Sequence, residues 1–365
     1  MHGNRFRRIA EHSSLLFGSL LLSMLALEVL YRVLDPFPYF TEEKINSTEY
    51  GNLTTFDETL GWKGVANGMG EFVTQNNRVR LTHNRQGNRD VEHEDVSTKK
   101  PAIVFLGDSF TWGHEVEFDE MFVNRLRDRL PAYEIFNLAQ RGYGTDQELI
   151  SFRNWADSRQ LRLVALVFCE NDIEDNNSEF RYDKPKPRYR LKNDALVLTG
   201  VPLPRVEAWT NPRPGKDAPE SWLRKLPKLL FHSHLLHDLY LRCAELHSNI
   251  RGNETENDRG RQEDLTITAR LLGELKREVE GKGAQLVVVF IPSKAEIEGP
   301  HSRLPYQSAI AGLCRQLGIR HFDLGPTFRK VWFRTYYRLG THWNPHGHKV
   351  ASEALYAYLT TVLRS

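Results

Sequence analysis

The sequence predicts a three-layer α/β/α fold on a five-stranded parallel sheet, preceded by an N-terminal transmembrane helix. Three observations predict it: an apolar run behind a basic N-terminus, short apolar runs rich in branched residues after Pro101, and segments of helical period among them. Strands that alternate with helices form a parallel sheet covered on both faces. We therefore expect an active site beyond the carboxyl ends of these strands.

The composition bounds the class of protein. A chain of 365 residues can bury a sizeable core in one large or two small domains. Its net charge of +2 is too small for the electrostatic footprint of a nucleic-acid binder, so we expect no nucleic-acid partner. Cys169, Cys243 and Cys314 are too few and too scattered for a disulfide framework or a metal site, which favours buried thiols. The alternative is one incidental disulfide between two of these cysteines outside the cytoplasm.

The first element is an apolar run at residues 13–34, directly after an arginine-rich tip. As a helix it would be roughly 33 Å long, enough to cross a bilayer core. Basic residues on its amino side predict a cytoplasmic N-terminus and an extracytoplasmic remainder. Glu28 and Arg32 are four apart and can pair on one helix face. A removable signal peptide or a buried core helix are the alternatives, but the absence of a clean cleavage site favours a retained signal anchor at residues 1–35.

Residues 36–99 are polar and spotted with glycine, which predicts short strands and turns in a β-rich stalk or apron. The main domain then covers residues 100–365. Its predicted buried strands are 102–106, 133–138, 161–169, 285–291 and 319–324. An insertion at 178–262 separates the third strand from the fourth, with a predicted hairpin that turns at Asn193 and Asp194, then a helical half. We expect this insertion to cover the site or to shape its substrate groove.

Three polar motifs follow the first three strands. In "GDSFTWG", Asp108 precedes Ser109, whose hydroxyl lies at a strand end near the positive end of a helix dipole. In "GYGTDQEL", Gly142 lets its backbone N–H approach an oxyanion. In "ENDIEDN", Asn171 offers an amide donor, and Asp172 can orient the loop. Each motif alone is more typical of a turn or a helix cap.

The fourth motif, "RLGTHWNPHGH", holds three histidines in eleven residues. Asn344 can cap the helix that Pro345 begins, so His342 stands just before that helix. A serine nucleophile needs an adjacent base, which His342 can supply. The alternative is a metal site formed with His346 and His348, but no carboxylate or cysteine completes that set locally, so we expect no metal.

The four motifs together, in the order Ser, Gly, Asn and His, resemble the SGNH (GDSL-type) hydrolase superfamily over about residues 100–365. A looser likeness continues through the apron and anchor, as in membrane-anchored bacterial members. The resemblance implies a flavodoxin-like fold and acyl transfer from an ester through an acyl-serine, without a cofactor or a metal. The roles it implies are Ser109 as nucleophile, His342 as general base and then acid, an oxyanion hole of the Ser109 N–H, the Gly142 N–H and the Asn171 side chain, and support from Asp108 and Asp172.

The pattern breaks at the acid of the triad. Family members usually carry an aspartate two or three residues before the histidine, where this chain has Gly340 and Leu339. We expect His342 to be oriented by a backbone carbonyl of this loop or by a carboxylate from elsewhere. The carboxylates near the predicted site are Asp146, Glu170, Asp172 and Asp323, which the sequence does not rank.

The resemblance predicts a membrane-anchored serine esterase whose catalytic domain is periplasmic and acts on acyl esters, O-acetyl or similar, of envelope glycans or lipids. One alternative is an O-acyltransferase that modifies an envelope polysaccharide beside a multi-span acyl-donor protein, since some anchored relatives work in this way. A catalytically silent glycan-binding or scaffold protein is the other alternative. The missing aspartate favours it, whereas the retention of serine, glycine, asparagine and histidine together argues against it.

Overall fold

The structure is a computed structural model in which the described residues fall into two compact units. One unit lies within Met1–Glu42 and Ala218–Thr255, and the other within Glu43–Asp217 and Glu256–Ser365. The described residues are 2–34, 53–73, 76–93, 100–155, 159–182, 184–206, 233, 235–236, 258–298, 306–331, 333–337 and 340–364. Cys243 and most of the helix predicted in the second half of the insertion lie outside them.

The first unit contains helix α1 (His2–Leu34). Within it, residues 12–33 have a mean hydropathy of 1.9 and none of the most apolar window is buried, so by length and composition this helix can cross a membrane. A signal sequence has the same properties. The predicted pair forms: Arg32 Nε donates to Glu28 Oε1 at 2.8 Å. Within this unit Glu28 also accepts hydrogen bonds from the Ser233 hydroxyl and the Leu235 N–H.

The second unit holds the remaining described elements. The strands are β1 Thr54–Asp57, β2 Gly61–Gly64, β3 Met69–Val73, β4 Arg78–Thr82, β5 Ala102–Gly107, β6 Glu134–Asn137, β7 Leu161–Phe168, β8 Phe180–Arg181, β9 Lys184–Pro185, β10 Arg188–Lys192, β11 Ala195–Thr199, β12 Gln285–Phe290 and β13 Arg320–Asp323. The helices are α2 Ser109–Trp112, α3 Phe122–Arg129, α4 Thr145–Asn154, α5 Asp172–Asp175, α6 Asp258–Gly281, α7 Lys294–Glu298, α8 Tyr306–Leu317, α9 Gly325–Phe328 and α10 Pro345–Arg364, with a 3-10 turn at Phe118–Glu120.

The central sheet has the order β13-β12-β7-β5-β6, and every neighbouring pair is parallel. All five predicted strands are confirmed, each to within one residue at either end. Their branched apolar side chains are buried on both faces, which is why the runs are continuous rather than alternating. The predicted α/β/α fold is therefore correct.

Side chains alternate along β5 between two cores. Val104 and Leu106 join the core on the face covered by α4, α6 and α8, while Ile103 and Phe105 join the core on the face covered by α3 and α10. Each such side chain contributes roughly 1.5–3 kcal/mol when fully buried. The sheet is thus held rigidly from both sides, and the loops at its carboxyl ends are fixed in place.

The β-rich content predicted before the main domain is present at residues 54–82 as two antiparallel pairs, β1–β2 and β3–β4. These pairs lie in the same compact unit as the central sheet. Trp62 Nε1, for example, donates to the Arg141 carbonyl at 2.9 Å. In the insertion, β10 and β11 form the predicted hairpin, and Asn193 and Asp194 at its turn have the left-handed φ values of 51° and 63°.

Candidate active site

Three of the predicted site residues lie just beyond the carboxyl ends of neighbouring strands. Ser109 begins α2 directly after β5, Gly142 follows β6, and Asn171 follows β7. Asp108 caps α2, since its Oδ1 accepts the Phe110 N–H at 2.9 Å. The turn into α2 requires Gly107, because a Cβ there would lie 2.3 Å from the Thr111 hydroxyl.

The nucleophile and base candidates meet directly. Ser109 Oγ lies 2.8 Å from His342 Nε2, so the hydrogen-bond distance expected from the sequence is confirmed. His342 precedes α10, whose first turn Asn344 caps by accepting the Gly347 N–H at 3.0 Å. Asn344 Nδ2 also donates to the Tyr336 carbonyl, which ties the preceding loop to the helix start. The local sequence therefore fixes the backbone that presents the imidazole.

The loop before His342, where the SGNH pattern has an aspartate, is held by hydrogen bonds from another element. Lys294 Nζ, from α7, donates to the carbonyls of Tyr337 at 2.7 Å and Gly340 at 3.2 Å. Gly340 has a φ of +83°, a conformation that glycine adopts without strain. Leu339 lies outside the described residues. The Gly340 carbonyl, one of the expected acceptors for His342, thus takes a hydrogen bond from a lysine.

The carboxylate that faces His342 belongs to Glu115, which sequence reasoning missed. Glu115 Oε2 lies 3.9 Å from His342 Nδ1, within ion-pair range but longer than a hydrogen bond. Its side chain is 6% exposed, and its Oε1 accepts from Asn76 Nδ2 at 3.0 Å. Its backbone has a φ of +65°, and its carbonyl accepts from the Tyr337 hydroxyl at 2.7 Å. The one feature of the sequence that could have identified Glu115 was its position, six residues after Ser109 in "GHEV" and just past the glycine that ends α2.

The carboxylates that the sequence left unranked have other partners. Asp146 forms a fully buried ion pair with Lys186. Asp172 and Asp323 accept nearby backbone N–H groups, each at 2.8 Å. Glu170 lines the cavity beside Ser109. Among the described residues, the carboxylate that faces His342 is therefore that of Glu115.

The electrostatics keep the imidazole neutral. Burial, with a smaller contribution from the positive charge of Arg141, lowers the pKa of His342 to about 4. The His114 ring lies with its centroid 4.0 Å from that of His342, and burial holds the pKa of His114 well below its usual range. A neutral His342 at pH 7 has a ring nitrogen that can accept the proton of the serine hydroxyl.

The oxyanion-hole candidates line the same cavity of about 970 Å³ as Ser109 and His342. Gly142 has a φ of +74°, and a Cβ at this position would lie 2.4 Å from the ring of Tyr182. Asn171 Nδ2 donates to Asp175 Oδ2 at 2.9 Å. Because a primary amide carries two N–H donors, one remains for a ligand. Tyr182 belongs to the insertion, which therefore shapes one wall of the cavity.

Buried acids lie behind Ser109. Burial raises the pKa of Asp108 to about 7, with a further contribution from Asp175. Burial, then the charges of Asp172 and Asp108, raises the pKa of Glu148 well above its usual range. Neither carboxylate oxygen of Glu148 has a hydrogen-bond partner among the described residues. Burial, together with repulsion within this group, favours protonated carboxyls behind the Ser109 loop.

The other two histidines of the motif, His346 and His348, form packing contacts away from Ser109. His348 is buried, stacks on Phe122 and accepts the Phe122 N–H through Nδ1 at 3.3 Å. His346 has an edge contact with the Phe333 ring. Of the two cysteines within the described residues, Cys314 is fully buried as predicted, whereas Cys169 is only partly buried and lines the cavity.

Comparison with known proteins gives one family match. Residues 251–364 match a family described as an SGNH hydrolase-like domain, acetyltransferase AlgX. This region includes β12, β13 and His342 but not Ser109. No curated protein matches the chain in sequence.

Solved structures with a similar fold are distant. A lipolytic G-D-S-L family protein from Veillonella parvula is 12% identical with a TM-score of 0.40, covering 71% of this chain and 98% of that one. An acetyl xylan esterase is 12% identical with a TM-score of 0.38, covering 70% and 98%. A psychrotrophic esterase from Pseudoalteromonas is 11% identical with a TM-score of 0.37, covering 73% and 100%. Likenesses this loose support no conclusion by themselves.

The family match and the molecule's own architecture agree. The matched region supplies the last two strands of the parallel sheet and the histidine, and the unmatched region supplies the serine that this histidine contacts. Residues 251–364 are therefore similar to an SGNH hydrolase-like domain, and they share one parallel sheet with the strands that precede Ser109, Gly142 and Asn171.

Proposed function

We propose that this protein is a serine enzyme that takes an acyl group from an ester, forming an acyl-serine at Ser109. The observation that carries the proposal is the 2.8 Å distance between Ser109 Oγ and His342 Nε2 in the wall of a large cavity. A serine hydroxyl is a weak nucleophile until a neighbouring base accepts its proton. Burial keeps that base neutral at physiological pH, because it lowers the pKa of His342.

The proposed first half-reaction has two steps. Ser109 Oγ attacks the ester carbonyl while its proton passes to His342 Nε2. The N–H groups of Ser109 and Gly142 and the Asn171 amide stabilise the resulting oxyanion. The tetrahedral intermediate then collapses, His342 returns the proton to the leaving alcohol, and the acyl group stays on Ser109. Each donor of this type contributes about 3–4 kcal/mol in well-studied serine hydrolases.

In this mechanism Glu115 takes the part of the absent aspartate. Its carboxylate faces His342 Nδ1, the nitrogen that carries the proton when Nε2 acts as a base. A negative charge there stabilises the imidazolium that forms in the transition state. Glu115 is thus a positioning residue, held by Asn76 and Tyr337 rather than by the loop that carries the histidine.

We propose acyl esters of envelope glycans or lipids as substrates, O-acetyl groups first. The apolar helix α1, read as an anchor with a cytoplasmic N-terminus, would hold the domain on the periplasmic face of a membrane. Charged and aromatic side chains of the insertion, Arg181 and Tyr182, line the cavity and would contact the part of the substrate beyond the acyl group.

Acyl transfer is the second candidate, supported by the family match described as an acetyltransferase. In it, a sugar hydroxyl rather than water attacks the acyl-serine, and His342 removes the proton of that hydroxyl. A multi-span membrane protein would be the partner that supplies acyl groups. To separate the two, free acetate and acetylated oligosaccharide would be measured together from a model acetyl ester, with and without an oligosaccharide acceptor. If the amount of free acetate is the same with and without the acceptor and no acetylated oligosaccharide forms, transfer to that acceptor is excluded.

The test of the acyl-serine is a labelled fluorophosphonate probe. We expect labelling of the wild type, none of Ser109→Ala, and strongly reduced labelling of His342→Ala. Ser293→Ala is the matched control, because Ser293 also lines the cavity but forms hydrogen bonds with Glu296. Wild-type protein that stays unlabelled at Ser109 would reject the enzyme and favour the silent glycan-binding or scaffold protein.

A further inference from the structure

A second chemistry-bearing group adjoins the catalytic pair. His114, Glu115 and His342 each offer one potential metal-ligand atom, and the three atoms lie within 4.8 Å of one another. The mechanism proposed above uses Glu115 and His342 but gives no task to His114. Its Nδ1 is buried and has no hydrogen-bond partner among the described residues, although a buried ring nitrogen is normally satisfied.

The donor set suits one class of ion. Two imidazole nitrogens and a carboxylate oxygen are typical ligands of Zn²⁺, which also accepts a water molecule in the fourth position. Its bonds are about 2.0–2.2 Å long, so the ligand atoms of a tetrahedral site lie about 3.3 Å apart. Glu115 Oε2 and His342 Nδ1 are 3.9 Å apart, and all three ligand atoms lie within 4.8 Å of one another, so some pairs must approach by up to about 1.5 Å when an ion binds.

We infer that His114, Glu115 and His342 form an inhibitory site for Zn²⁺ or a similar nitrogen-preferring divalent ion. An ion beside Glu115 binds the ring nitrogen that faces it, His342 Nδ1. The single proton of the neutral imidazole must then lie on Nε2. In this tautomer Nε2 donates a hydrogen bond to Ser109 and cannot accept the serine proton. A bound metal ion therefore prevents acyl-serine formation although it does not bind to Ser109 itself.

Binding is measured first, in a protein that cannot react. The Ser109→Ala full-length chain is dialysed to equilibrium against buffered Zn²⁺, with Mg²⁺ as the oxygen-preferring contrast. We expect one tightly bound Zn²⁺ per chain from this site and no comparable Mg²⁺ binding. Adding His114→Phe, which keeps an aromatic ring against His342 but removes both nitrogens, should weaken Zn²⁺ binding at least about tenfold. The control His346→Gln removes a histidine outside the cluster and should leave binding unchanged.

Inhibition is measured second, and this part rests on the proposed function. Zn²⁺ at the concentration that saturates the site should slow fluorophosphonate labelling of Ser109 by at least tenfold, and a chelator should restore it. In His114→Phe the ratio of labelling rates with and without Zn²⁺ should return close to one. Equal Zn²⁺ binding by the parent and His114→Phe proteins, or labelling that saturating Zn²⁺ leaves unchanged or accelerates, would overturn the inference. Unlabelled wild type without metal would instead reject the proposed function, since the binding experiment does not depend on it.

Discussion

Glu115→Gln is the sharpest perturbation of the proposed mechanism. Glutamine keeps the size of the side chain and can still accept the Asn76 amide hydrogen bond through its own oxygen, so the fold of the loop is preserved. What disappears is the negative charge 3.9 Å from His342 Nδ1. The change therefore tests the electrostatic part of the interaction separately from packing.

The expected magnitude follows from the distance and the burial. Two unit charges about 4 Å apart interact by about 4 kcal/mol at an effective dielectric constant of 20. The His342 side chain is 22% exposed and the contact is not a hydrogen bond, which reduces the value. A loss of about 2–4 kcal/mol corresponds to a 30- to 1,000-fold slower acylation, less than the roughly 10⁴-fold loss for a hydrogen-bonded triad aspartate.

The assay is the rate of acyl-serine formation with an activated acetyl ester or the fluorophosphonate probe, measured between pH 3 and 8. Removing a negative charge also lowers the pKa of His342 further, so the acidic limb of the profile should move to lower pH while the plateau falls. Glu115→Asp should retain part of the rate. Glu353→Gln, the same substitution on the exposed side of α10, is the control. A Glu115→Gln enzyme within threefold of wild type, with an unmoved limb and an unchanged melting temperature, would refute the role.

Three further predictions follow from the surroundings of the site. Because burial lowers the pKa of His342 to about 4, the wild-type rate of labelling should stay near its plateau down to about pH 5 and halve near pH 4, rather than near 6.5; a midpoint above 6 would contradict this. Because burial raises the folded-state pKa of Glu148, the free energy of unfolding should fall as the pH rises above 4.5, the pKa of the unfolded state. Glu148→Gln should raise the free energy of unfolding, measured by urea titration, by about 1–3 kcal/mol at pH 8 but little at pH 4. Equal gains at both pH values would contradict a raised pKa of Glu148. Lys294→Met should slow acylation at least tenfold by freeing the loop that it clamps at Gly340, with Lys294→Arg partly restoring the rate; equal rates in all three proteins would remove the clamp from the mechanism.

The sequence predicted the sheet because local physics dominates there. The runs around β5, β7 and β12 are apolar on both faces, and such runs are stable only when helices cover both sides of a parallel sheet. The approach of Ser109 to His342 was also predictable, since strand ends converge at one edge and the capped helix α10 fixes the place of the histidine.

The acid partner was not predictable, for a specific reason. The position of Glu115 depends on Gly113, which turns the chain at a left-handed φ of 86°, and on bonds to Asn76 and Tyr337, 39 and 222 residues away. None of these contacts leaves a periodic or spaced pattern in the sequence. The Lys294 clamp was missed for the same reason, because its acceptors are backbone carbonyls, which every residue has.

In the proposed mechanism, Glu115 and Lys294 together do the work of the aspartate that the SGNH pattern places before the histidine. In a loop with that aspartate, one segment both presents the histidine and supplies the charge that stabilises it. In the proposed mechanism the two tasks are divided: Lys294 binds the backbone before His342, and Glu115 supplies the charge from the loop that follows Ser109. The division places the carboxylate beside His114 as well, which the usual arrangement does not require. The position of Glu115 that supports His342 as the proposed base for Ser109 therefore also completes the three ligands of the inferred zinc site.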